Sequence, residues 1–321
     1  MSGTSILVTG GDGFVGSRLC DLLARRDYRI ISASRSAAER YGDARVRRIA
    51  LDLAGHDDLR PALGGVDCIV HLAARTHVLN DMAADPLREY RRINTEGTAR
   101  LATAAARAGV RRFVFLSSIK VNGEETAYRP YTEADEPQPE DAYGRTKWEA
   151  ERALRAVHDH TGMEVVILRP PLVYGPGVKA NFLKLMRLVA RGMPLPLAAL
   201  DNRRSMIHVG NLADAIRACV ETPQAANRTY LASDGEDLST PQLVRALAQA
   251  LEVKARLVPV PRSVLDLAGR LLGRGDLVAR LTRSLQVDSA RLRTELRWQP
   301  PYTVAQGLAE TAAWFRSVGS R

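Results

Sequence analysis

The chain has 321 residues, 45% of them hydrophobic and 26% charged, with a formal net charge of +10. These values describe a globular protein with room for one large α/β domain and a smaller lobe, and they exclude a disordered or fibrous chain. The arginines are spread along the chain without a basic block interleaved with aromatics, so nucleic-acid binding is not expected. The charge reads as a solvated arginine-rich surface, or as suited to an anionic ligand or membrane surface.

In chain order, SILVTG predicts an apolar strand that runs into the glycine loop TGGDGFVG. Phe14 to Arg26 follows as an amphipathic helix. YRIISAS and VRRIALDL predict two further strands, the latter ending at Asp52. VDCIVHLAA is nearly continuously apolar, as expected of a strand covered on both faces. Pro86 to Ala108 predicts a long helix closed by Gly109. RRFVFLSS predicts a strand, Ala142 to His160 a helix, and EVVILRP the last strand of the regular alternation. Such alternation implies a doubly wound parallel sheet of the Rossmann type.

After Pro170 the texture changes. PPLVYGPG reads as a loop, Asn181 to Gly192 as a helix, Ser205 to Val209 as a short strand and Asn211 to Thr222 as a helix. Short helices and a proline-bounded strand, ARLVPVP, follow from Thr240. This divides the chain into a dinucleotide-binding domain, residues 1–171 with about 205–232, and a smaller C-terminal substrate-binding lobe, residues 172–204 and 233–321. The lobe is expected over the carboxyl edge of the sheet, where open α/β sheets bind ligands. The arginine-rich segment Arg262 to Arg283 reads as a buried amphipathic helix, with a membrane-surface helix as the alternative. Cys20, Cys68 and Cys219 lack metal-ligand spacing and read as reduced core thiols, so no metal site is expected. The first strand starts near Thr4, leaving no room for a signal peptide, and no apolar run is long enough to span a membrane. A cytoplasmic protein is expected.

In the glycine loop, Gly10 permits the tight turn, Gly13 lets backbone approach a pyrophosphate and Gly16 lets the helix pack on the strand. Phe14 and Val15 open the helix whose free N–H groups face the phosphates. At the end of the second strand, where NAD binders usually carry an acid, this chain has Ser34 and Arg35. Arg35 favours NADP, since an arginine there accommodates a 2′-phosphate; a surface arginine with NAD bound otherwise is the alternative. Asp52 and Leu53 would flank the adenine, unless Asp52 only caps the strand end.

Tyr143 and Lys147, four residues apart in AYGRTK, share one helix face. An ammonium about 4 Å from a phenol favours the phenolate by up to about 4 kcal/mol at an effective dielectric of about 20, or roughly three pKa units. Lys147 is therefore expected to lower the Tyr143 pKa. A serine from the Ser117-Ser118 pair can hold a substrate oxygen while the phenol takes its proton. This is chemistry for moving hydride to or from a carbinol.

Together TGGDGFVG, Asp52-Leu53, HLAA at His71 to Ala74, INTEGT around Asn94, LSSIKVNG, YGRTK, LRPPLVYGPG and RRSMIHVGNLADAI resemble the extended short-chain dehydrogenase family. The resemblance covers about residues 4–215 and is to the nucleotide-sugar epimerase, dehydratase and reductase type. It is similar in particular to bacterial enzymes of surface-polysaccharide sugar synthesis. It implies that Tyr143 is the catalytic acid or base, that Lys147 holds the nicotinamide ribose, and that Ser118 rather than Ser117 orients the substrate. It implies cofactor contacts at Leu72, Ala73, Ala74 and Pro170, with Asn94 supporting the active-site helix. Asn181 resembles a diphosphate contact and Arg204 the family's phosphate-binding arginine. A second such arginine does not align, leaving Arg280 and Arg283 as candidates. Lys120 stands where a small polar residue is usual and meets either substrate or solvent. His77, after HLAA, is a structural loop histidine or a substrate contact. Asp288 matches a family position without an assignable role.

The resemblance implies an NAD(P)-dependent nucleotide-sugar 4-epimerase acting on a UDP-hexose or UDP-N-acetylhexosamine. An NADPH-dependent 4-keto-sugar reductase is the alternative, and a non-enzymatic dinucleotide sensor a distant one. A 4,6-dehydratase does not fit, because Ile119 and Lys120 stand where that group carries an Asp-Glu pair. The resemblance also implies a homodimer built through the helices Pro86 to Ala108 and Ala142 to His160.

Overall fold

The structure is a computed structural model that describes residues 3–36, 45–55, 58–76, 85–273 and 275–319. Strand β1 (Ser5–Thr9) is fully buried and is the third strand of a seven-stranded sheet. Helix α1 (Phe14–Ala24) leads to β2 (Arg29–Ser34) and β3 (Val46–Ala50) on one side. After the short helix α2 (Arg60–Leu63), the chain crosses to β4 (Cys68–His71) on the other side of β1. Beyond it come β5 (Arg112–Leu116), β6 (Glu164–Arg169) and β9 (Thr229–Leu231). The spatial order is β3-β2-β1-β4-β5-β6-β9, every pair parallel. The order reverses between β1 and β4, which opens a crevice at their carboxyl ends.

Each face of the sheet carries its own core. On one, Leu19, Cys20 and Leu23 of α1 meet Leu212, Ile216 and Cys219 of α7 (Val209–Glu221). On the other, Leu101 and Ala105 of α4 (Gly97–Arg107) meet Ala150 and Leu154 of α5 (Ala142–Thr161). Each fully buried leucine contributes about 1.5–3 kcal/mol through burial. The three cysteines are free and buried, and burial pushes their thiols up to about 12, so they stay protonated and inert. A third core joins α6 (Ala180–Ala190), α8 (Thr240–Ala250) and α12 (Val304–Gly319) around Phe182, Met186, Leu247 and Leu308.

Several elements differ from expectation. PPLVYGPG is not only a loop: β7 (Leu172–Tyr174) lies in it and pairs with β8 (Met206–His208). Its three residues are hidden between prolines and glycines, and β9 is equally short, so neither shows a periodicity. ARLVPVP is no strand; only Leu257 bridges to Leu195. The expected helix over 86–108 is interrupted. α3 (Pro86–Tyr90) and α4 are joined by a π-helical turn, Arg91–Glu96, which contains Asn94. Helix α9 (Arg262–Leu271) is not buried: Val264, Leu267 and Leu271 are exposed. It packs against α10 (Gly275–Thr282), ahead of α11 (Ala290–Glu295). No helix of the described residues is long and apolar enough to cross a membrane.

Candidate active site

The register of β1 on β4 sets Thr9 beside His71, so the glycine loop leaves the sheet against Leu72 and Ala73. Gly10 has φ +69°, and a β-carbon there would lie 2.9 Å from the Ala73 nitrogen. A β-carbon on Gly16 would run into the Gly10 carbonyl. Glycine is required at both positions. Gly13 N–H donates to the Gly10 oxygen at 2.9 Å and the residue caps α1. Phe14 and Val15 pack into the cores and leave only backbone N–H groups at the helix start. Leu72 N–H donates to the Thr9 carbonyl at 3.1 Å, and Ala73 N–H reaches the Thr9 hydroxyl at 3.3 Å. The loop and Leu72 to Ala74 thus bring their backbones together into one cradle that fits a pyrophosphate.

At the far end of the crevice, Arg35 follows β2 with its side chain exposed. Ser34 Oγ donates to the Asp12 carboxylate at 2.5 Å. Asp12, inside the glycine loop, thus stands beside the end of β2, where the usual acid is missing. Sequence reasoning missed it because the usual acid lies about 20 residues further on. Asp52 accepts from Ala54 N–H at 2.9 Å as a turn cap, while Leu53 buries its side chain in the core.

Helix α5 is capped by Asp141, which accepts from Gly144 N–H at 2.7 Å. A β-carbon on Gly144 would lie 2.6 Å from the Lys120 carbonyl oxygen. That glycine lets the first turn of α5, with Tyr143, close onto the turn Ile119–Val121 that follows Ser118. Ser118 is half-buried and its Oγ accepts from Lys120 N–H at 3.2 Å. Ser117 is committed elsewhere, donating to Glu151 at 2.6 Å. Pro170 closes the same corner, its carbonyl accepting from Ile119 N–H at 2.9 Å.

Lys147 is 2% exposed and its Nζ donates to the Leu116 carbonyl at 2.8 Å. The ammonium stands 4.4 Å from the Phe115 ring centroid and 5.9 Å from that of Tyr143. Burial pushes Lys147 down to about 7, against Glu151 one turn along the helix. Tyr143 packs edge-to-face on Tyr90, centroids 6.4 Å apart. Its phenol is held above its usual range by burial first, then by Asp141 and Tyr90. The expectation of a phenol lowered by Lys147 is thus corrected: the ammonium is aimed at a carbonyl, and burial outweighs it.

Asn94 bridges to the helix. Its Oδ1 accepts from Arg75 N–H at 2.8 Å, and its Nδ2 donates to the Arg75 carbonyl and to Thr146 on α5. A fully buried pair below the site was not foreseen. Arg169 grips Glu151 through Nε at 2.9 Å and Nη2 at 2.6 Å. Glu151, four residues after Lys147, was the available signal.

On the substrate side, Arg204 Nη1 donates to the Arg283 carbonyl at 2.9 Å. Burial and the neighbouring charge of Arg280 hold the Arg204 guanidinium below its usual range. Arg283 instead turns its guanidinium to Glu125 at 3.0 Å. Lys120 is ion-paired with Glu124 at 2.7 Å and Asp141 at 2.5 Å. Asn181 is exposed on the first turn of α6. Asp288 accepts from Ala290 N–H at 2.8 Å, a turn cap. His77 lies outside the described residues. No group of three or more metal-ligating side chains stands among the described residues.

A phenol, an ammonium and a hydroxyl meeting beside a dinucleotide cradle define a class of enzyme that moves hydride with a nicotinamide cofactor. The sequence profile of the NAD dependent epimerase/dehydratase family matches residues 6–232. The chain is 45% identical to a Vibrio cholerae UDP-glucose 4-epimerase, over 99% of this chain and 97% of the relative. It is 29% identical to an Escherichia coli O157:H7 N-acetyl-alpha-D-glucosaminyl-diphospho-ditrans,octacis-undecaprenol 4-epimerase, over 96% and 94%. The solved structure of MoeE5 with UDP-glucuronic acid and NAD superposes with a TM-score of 0.79 at 26% identity, covering 98% of this chain and 99% of that one. The chain belongs to the NAD dependent epimerase/dehydratase family. It is an enzyme, and a nicotinamide dinucleotide is its cofactor.

Proposed function

We propose that the enzyme is an NAD-dependent 4-epimerase of a nucleotide sugar, acting on a UDP-hexose or UDP-N-acetylhexosamine. The observation that supports this reading is the close approach of the first turn of α5, at Gly144, to the Lys120 carbonyl in the turn that follows Ser118, where a β-carbon on Gly144 would lie 2.6 Å away. The end-to-end identity with a UDP-glucose 4-epimerase supports it. When bound, the nicotinamide would supply the hydride acceptor for sugar carbon 4 and then, in its neutral reduced form, the donor that returns the hydride. With the cofactor bound, the added positive charge of the oxidised ring together with Lys147 would favour the Tyr143 phenolate, which takes the 4-hydroxyl proton as hydride leaves and returns it from the resulting phenol. Ser118 Oγ orients the 4-oxygen, and Lys147 holds the nicotinamide ribose and supplies positive charge near the phenol. Gly10, Gly13 and Gly16, the first N–H groups of α1, and Leu72 to Ala74 hold the pyrophosphate and nicotinamide end. Ser34, Arg35, Asp52 and Leu53 serve the adenosine end.

Arg35 speaks for NADP, but the Asp12 carboxylate, held beside Ser34, would repel a 2′-phosphate and accept from ribose hydroxyls. We read the balance as NAD, which removes the main support for an NADPH-dependent reductase. Arg204, Arg280 and Asn181 hold the substrate diphosphate, while Lys120 and Arg283 act through their acidic partners. Residues 1–171 with about 205–232 form the cofactor domain, and 172–204 with 233–321 the substrate lobe. The test is Tyr143→Phe. Turnover of UDP-sugar should fall by about 10²–10⁴-fold. NAD affinity should be unchanged and tighter than that of NADP on the same samples. Near-full turnover, or a preference for NADP, would refute the assignment.

A further inference from the structure

Helix α9 faces the wrong way for a helix that serves only its own core. Val264, Leu267 and Leu271 are 51%, 59% and 78% exposed, and Leu272 just beyond is 72% exposed. With Ala268, also exposed, they follow the i, i+3, i+4, i+7 spacing of a single stripe. The side turned to the lobe carries buried Gly269 and half-buried Leu265 and Asp266. The apolar stripe therefore points to solvent and the small, polar edge points inward.

One border of the stripe is cationic: Arg270 is exposed on that flank, while Arg262, also exposed, lies on the opposite side and is ion-paired with the helix's one acid, Asp266, at 3.6 Å. The whole chain carries a net charge of +10. A second copy seated on this face by two-fold symmetry would bring the same arginine to the same edge. An anionic bilayer offers what the face lacks: phosphates for the arginine and an acyl boundary for the leucines.

We propose that α9 docks the enzyme on an anionic membrane surface, with Val264, Leu267 and Leu271 in the head-group boundary and Arg270 at lipid phosphates. This rests on α9 alone and holds whether the sugar substrate is soluble or lipid-linked. The experiment is co-sedimentation of the full chain with phosphatidylcholine vesicles, with and without phosphatidylglycerol. Wild type should partition onto the anionic vesicles only, and added salt should weaken it. Leu267→Glu/Leu271→Glu should reduce partitioning roughly tenfold or more, and Arg270→Glu should reduce it partly. Both variants should keep wild-type turnover of soluble UDP-sugar, which shows that the fold and the site are intact. Failure of wild type to bind anionic vesicles, or binding unchanged in the leucine variant, would overturn the proposal. So would a light-scattering mass that drops in the leucine variant while wild type ignores vesicles, which would make the stripe a contact between copies.

Discussion

At Lys147 two effects oppose each other. Glu151 stabilises the ammonium from below, yet burial takes it out of water and wins, bringing it down to about 7. At Tyr143 burial acts the other way and keeps the phenol protonated. The Tyr-Lys spacing was legible in the sequence; the depth of burial was not, because it depends on Phe115, Tyr90 and the Leu116 carbonyl closing around the pair. His71 shows the same physics in a purely structural role. It lies fully buried between the Thr9 and Thr98 hydroxyls, 2.6 and 2.9 Å away, and burial pushes it down to about 3. Between pH 6.5 and 3 the unfolded chain binds a proton there and the folded chain does not. Its stabilising contribution is complete above pH 6.5 and is lost as pH falls through that window. At pH 5 the loss is about 2 kcal/mol relative to neutral pH. His71→Gln should be less stable at pH 7 but should lose less on going to pH 5, as urea unfolding at the two pH values would record. Parallel losses in both proteins would contradict a neutral buried imidazole.

Among the elements, the first turn of α5 carries the site. An alanine is usually better than glycine in a helix by about 1 kcal/mol. At Gly144 the added carbon would meet the Lys120 carbonyl at 2.6 Å, so either α5 or the turn after Ser118 must shift. Gly144→Ala should therefore destabilise by about 1–3 kcal/mol. A misplacement of roughly 1 Å should lower kcat by about 10²-fold. A variant more stable than wild type and fully active would show that the Tyr143–Ser118 spacing does not depend on this contact. The long sheet strands and the glycine loop were legible because apolar runs and turn residues announce them. β7 and β9 were not, being three residues long. The π turn Arg91–Glu96 was not either, because helical periodicity runs across it; what it provides is a place for Asn94 to reach Arg75 and Thr146. Asp12 and the Glu151–Arg169 pair escaped notice because their meaning lies in partners distant in sequence. Only the fold could separate Arg280, beside Arg204, from Arg283, beside Glu125.

At the scale of the whole molecule, α4 and α5 lie side by side on one face of the sheet, joined to the π turn by the Arg91–Glu149 ion pair at 2.7 Å. We infer a two-fold dimer through these helices. Light scattering at micromolar concentration should give twice the 35.2 kDa chain mass, and a monomer would count against it. The rest of the molecule serves one event, the return of a hydride to the carbon it left. Proton NMR of the enzyme with NAD and either UDP-glucose or UDP-N-acetylglucosamine in D2O tests that event most directly. The 4-epimer should accumulate to a fixed ratio with protium retained at carbon 4 and no net change in NAD, because Tyr143 exchanges protons only with the oxygen. Deuterium at carbon 4, no epimer from either sugar, or steady consumption of reduced cofactor would contradict the account.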